Sequence, residues 1–110
     1  MMTGSPTSER LSALVEDAAS RLDVAAGATA VCTWSRSGVA VPAIKYAEGR
    51  WAALRSLERA VRRGGVLAEL ADAELRTWDA ALADLTAKDA GADWVAYRTG
   101  GVDALRDLLG

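Results

Sequence analysis

The stretch PAIKYAEGRWAALRSLERAVRRGGVLAELADAELRTWDAALADLTAK, residues 42–88, decides the fold. On its first part, Ile44, Ala47, Trp51, Leu54, Leu57 and Val61 recur at three- and four-residue steps, the spacing that lines one side of an α-helix. Pro42 suits the start of that helix, and the arginines before Gly64 and Gly65 suit its end, where they complement the helix dipole. After the two glycines the pattern resumes with Leu67, Leu70, Leu75, Trp78, Leu82 and Leu85. The stretch therefore predicts helices over 42–63 and 66–88, with Asp72 as a candidate cap should the second one break near Ala71. Gly49, inside the first of them, costs about 1 kcal/mol relative to alanine and so points to a close approach by another element or to a kink.

Working outward, Ser5 is placed to cap a helix that opens at Pro6. Leu11, Leu14, Val15, Ala18 and Leu22 form its apolar stripe, and Gly27 offers a stop. Residues 28–41 fit a β-hairpin about Ser35, Arg36, Ser37 and Gly38, or else an ordered connector with a helical turn. Beyond Gly91 the pattern reads as a short helical turn holding Trp94 and Tyr97, then Gly100 and Gly101, then a short C-terminal helix with Val102, Leu105, Leu108 and Leu109. The fold class expected is mainly α: a small bundle of three longer helices and a short fourth, with α+β as the alternative. Residues 1–5 are expected to form a disordered tail and residues 6–110 a single domain.

Composition agrees with one small globular unit. The 110 residues are 51% hydrophobic and 25% charged, with a net charge of −2, and by size scaling such a chain buries somewhat over ~60% of its unfolded surface. Absent residue types exclude whole chemistries. Without histidine, neither a Ser-His-Asp nor a Cys-His nucleophile can be built, nor a histidine-bearing zinc or haem site. With Cys32 as the single cysteine, an internal disulfide and thiolate metal cages are excluded as well. Cys32 itself reads as buried and inert. No cofactor and no metal are expected, and no catalytic residue is assigned. The single cysteine and the polar first ten residues suggest a cytoplasmic protein, and the serines, threonines and glycines of residues 24–44 argue against a membrane span.

Charge is divided unevenly. Residues 43–65 carry six basic and two acidic side chains, whereas residues 66–110 carry four basic and nine acidic ones. Opposed charge favours an antiparallel pairing of the two central helices across Gly64 and Gly65. Its simplest register sets Trp51 against Trp78, Arg55 against Glu74 and Arg50 against Asp79.

Three sets of residues are candidates for function. Arg50, Glu58 and Glu74 fall on or beside apolar stripes, where a charge is costly unless paired. With Tyr46 one turn before Arg50, they could line an interhelix pocket for a small acid or phosphate, in a ligand-binding protein or a histidine-free enzyme; the plainer account is an interhelix ion pair. Trp34, Arg36, Trp94 and Tyr97 are the aromatic and arginine residues least committed to a core, and such residues anchor protein partners. Arg55, Arg59, Arg62 and Arg63 make a basic helix face of the kind that contacts nucleic acid, although the chain is acidic overall and lacks a recognition-helix pair. The function that fits these observations best is a non-catalytic interaction or oligomerisation module, with itself or another protein as partner; nucleic acid is the less favoured partner and a membrane is not expected.

Overall fold

The computed structural model describes residues 6–33 and 41–110, with side chains over 6–27 and 42–110. Four helices account for nearly all of them: α1 (Ser8–Thr33), α2 (Val41–Arg62), α3 (Leu67–Ala87) and α4 (Ala92–Leu109). No strand occurs among the described residues, so the chain is a helical bundle.

The helix ends follow local chemistry. The Thr7 hydroxyl accepts a hydrogen bond from the Arg10 amide at 3.1 Å, so Thr7 caps α1 in the place expected for Ser5. Gly27 does not stop α1. It is exposed, nothing among the described residues lies within 4 Å of where a Cβ would stand, and the alanines around it carry the helix on to Thr33. The first strand of the expected hairpin, residues 28–33, is therefore helix; residues 34–40 lie outside the described residues, as does the proposed tail at 1–5.

α2 ends where the arginines and glycines place its end. Gly64 and Gly65 take φ of 107° and 129°, in the left-handed region that glycine adopts without steric cost. α3 runs unbroken past Asp72. Its end differs from the sequence expectation: the chain turns at Asp89 (φ 55°), with the Ala90 amide donating to the Leu85 carbonyl at 3.0 Å. Gly91 instead stands as the N-cap of α4.

The main departure is α4. It is one 18-residue helix running straight through Gly100 and Gly101, not a turn followed by a short helix. The two glycines are tolerated because neighbours occupy the space of their missing side chains. A Cβ on Gly100 would lie 2.0 Å from the Tyr46 carbonyl oxygen, and one on Gly101 would lie 2.2 Å from the Trp78 ring. Gly49 of α2 reciprocates, since its Cβ would lie 1.8 Å from the Tyr97 carbonyl oxygen. α2 and α4 thus cross backbone against backbone, and the Trp78 indole of α3 packs on α4 at the adjacent Gly101.

This crossing sets the architecture. The most extensive contact in the bundle is α2 with α4; α1 packs chiefly on α2, α3 chiefly on α4, and α2 touches α3 much less. The expected α2–α3 register does not form, and its polar residues find other partners: Arg55 pairs with Glu58, Arg50 with Asp107, and Asp79 lies 3.8 Å from Arg106. Fully buried Leu54 and Leu57 from α2 and Val102 and Leu105 from α4 form the centre of the core. Each such side chain contributes about 1.5–3 kcal/mol on leaving water. Leu11 and Ala18 close the core from α1, and Ala71 and Trp78 close it from α3.

Candidate functional site

The glycine crossing brings two pairs of polar side chains face to face. Tyr46 and Arg50 stand one turn apart on α2; Asp103 and Asp107 stand one turn apart on α4. The Tyr46 hydroxyl donates to Asp103 Oδ2 at 2.6 Å, and Arg50 Nη2 donates to Asp107 Oδ2 at 2.7 Å. Arg10 of α1 donates from Nη2 to the Asp107 carbonyl at 2.6 Å, joining a third helix to the cluster.

Arg50 is 6% exposed, the one buried charged residue among those described. Burial works against its charge, but the bond to Asp107 and the neighbouring Tyr46 side chain outweigh it and hold the guanidinium above its ordinary pKa. The Tyr46 hydroxyl is also pushed up, by burial first and by its bond to Asp103 next, with Arg50 pulling the other way. The Arg50 side chain is enclosed while that of Asp107 remains 55% exposed, so the pair reaches the surface on its acidic side. Two arginines and two aspartates balance in charge. What this arrangement does chemically is fix the α2–α4 crossing and tie α1 to it.

The candidate pocket residues therefore divide. Tyr46 and Arg50 come together. Glu58 instead pairs with Arg55 on its own helix, and Glu74 Oε2 accepts the Trp78 indole N–H at 3.0 Å. Asp103 and Asp107 occupy the places expected of the two glutamates. The sequence signal for them is the matching four-residue spacing of Tyr46/Arg50 and Asp103/Asp107, each pair beside the glycines of the crossing.

Among the candidate partner-binding residues, Trp34 and Arg36 lie outside the described residues. Trp94 is 57% exposed near the start of α4. Its ring meets Tyr97 edge to face at 6.3 Å, and Lys45 Nζ of α2 stands 5.6 Å from the ring centre. Tyr97 continues inward to Trp78 at 5.2 Å, and the Arg98 guanidinium lies 4.6 Å from the Trp78 ring. Trp94 is thus the outer member of an aromatic row whose inner member is core.

The basic face is also divided. Arg55 is bound to Glu58 and lies 5.9 Å from the Trp51 ring, which takes it out of the free surface. Arg59, Arg62 and Arg63 are exposed, with no carboxylate within 4 Å among the described residues. Cys32 falls within the helical span of α1, and its side chain lies outside the described residues. Among the described residues no three acidic or cysteine side chains gather as a metal site requires, and no helix is long and apolar enough to cross a membrane. Compared with protein-family models, curated proteins and solved structures, the chain matches none.

Proposed function

We propose that this chain is a non-catalytic protein-interaction module whose contact surface is centred on Trp94, with a second copy of itself as the partner to test first. The observation that supports it is a large indole left 57% exposed while held in place by Tyr97 and Lys45. Such a side chain offers contact area with little conformational entropy left to lose, which is why tryptophan, tyrosine and arginine dominate the energetics of interfaces. The single cysteine suits a reducing compartment such as the cytoplasm.

Light scattering at micromolar concentration, with acrylamide quenching of tryptophan fluorescence, tests this. Self-association through Trp94 gives twice the monomer mass and shields one indole, and Trp94→Ala returns the protein to monomer. A wild-type protein that stays monomeric with Trp94 open to quencher at every concentration would count against it.

A further inference from the structure

Most of the cations among the described residues are engaged. Arg21, Lys45, Arg50, Arg55, Arg76, Lys88 and Arg106 each have a carboxylate within 4 Å, Arg10 donates to a carbonyl, and Arg98 is stacked on Trp78. Arg59, Arg62 and Arg63 differ: all three are exposed, none has a carboxylate within 4 Å among the described residues, and they are neighbours at the end of α2. Steps of three and four residues put them on one side of that helix. Their charges also complement the negative end of the helix dipole. Just past them, across Gly64 and Gly65, Val66 is 58% exposed.

We propose that this end of α2, independently of Trp94, docks an acidic, amphipathic segment of a partner protein, with carboxylates on the three guanidinium groups and an aliphatic side chain on Val66. Guanidinium groups engage carboxylates with paired, parallel N–H bonds, so the cluster fits anions whose spacing follows helical turns. A protein segment fits better than nucleic acid on two grounds. The nearby exposed side chain is aliphatic, and the two aromatic rings on the same helix are both half-buried and engaged, Tyr46 with Asp103 and Trp51 beside Arg55, so neither stands open to stack on a base. The basic patch is also short, three arginines within about one helical turn, so it neutralises only a few phosphates of a polyanion.

Fluorescence anisotropy with the full chain tests this. The probes are a labelled, blocked helical peptide of glutamate and leucine, the same peptide with glutamine for glutamate, and a labelled oligo-dT strand. The acidic peptide should bind, more weakly as salt rises, while the glutamine peptide does not. The triple variant Arg59→Gln, Arg62→Gln, Arg63→Gln, its helicity verified by circular dichroism, should weaken the acidic peptide about tenfold. Val66→Ser should weaken it several-fold without loss of thermal stability. Equal binding of the acidic peptide by wild type and triple variant, no binding at all, or tighter binding of oligo-dT that the triple variant loses would each overturn the proposal. Trp94→Ala should leave peptide binding unchanged, which separates a failure here from a failure of the Trp94 surface.

Discussion

Replacing Gly49 with alanine should destabilise the protein, although alanine is the better helix former. In an open helix interior the exchange gains about 1 kcal/mol. At Gly49 the added carbon would sit 1.8 Å from the Tyr97 carbonyl oxygen, against an ordinary closest C···O approach of about 3.3 Å, so α2 and α4 must part by roughly 1.5 Å. Leu54, Leu57, Val102 and Leu105 pack across the same crossing, and a gap of 0.5–1 Å already forfeits a quarter to a half of the dispersion attraction between facing atoms. Overpacking costs about 1–3 kcal/mol, and more where backbone rather than side chain must yield. We expect a net loss of about 2–3 kcal/mol, read by urea unfolding monitored through tryptophan fluorescence and circular dichroism together. The melting temperature should fall by about 10 °C or more. Gly27→Ala is the internal control: that position is exposed, helical and open, so the same substitution should gain about 1 kcal/mol. If Gly49→Ala proves as stable as wild type, the backbone-to-backbone crossing is wrong.

Two further outcomes follow from the helix cap and the polar cluster. Val66 caps α3 in extended conformation with no side-chain hydrogen bond, so Val66→Ser should raise stability by about 1 kcal/mol in thermal unfolding, and a loss would contradict the cap assignment. Tyr46→Phe should cost about 1–2 kcal/mol at neutral pH by leaving Asp103 without its donor. Because the folded state holds the Tyr46 proton more tightly than the unfolded chain does, this stabilisation is whole below about pH 10 and fades as pH rises through the raised folded value. The difference between wild type and variant should therefore narrow in alkaline urea titrations, and a constant difference would refute the assignment.

Which parts of this were legible in the sequence follows from what each residue's neighbours are. α2 and α3 were readable because their apolar stripes and the Gly64–Gly65 turn are local signals, and Arg50 among apolar residues already signalled a buried charge. Gly49 was readable as a close approach, but not what approaches. Gly27, Gly100 and Gly101 were misread for one reason: glycine carries the same local meaning whether it ends a helix or makes room for another. Only the tertiary neighbours, Tyr46 and Trp78 for the last two and open solvent for the first, decide it. The charge division between the second and third helices suggested that they pair. The chain instead spends those charges mostly within single helices, as in Lys45–Glu48, Arg55–Glu58, Arg76–Asp72 and Lys88–Asp84, leaving apolar and glycine contacts to choose the neighbours. Asp103 and Asp107 went unnoticed because a carboxylate near a helix end looks like solvated surface until its partner is known.

The most direct test is a carbon-edited nuclear Overhauser spectrum of the isotopically labelled protein. Cross-peaks should join the Gly49 α-protons to the Tyr97 α-proton, and the Gly100 α-protons to protons of Tyr46 and Arg50. Empty spectra at both glycines, with indole-to-indole cross-peaks between Trp51 and Trp78, would show that α2 lies against α3 and would contradict the arrangement described.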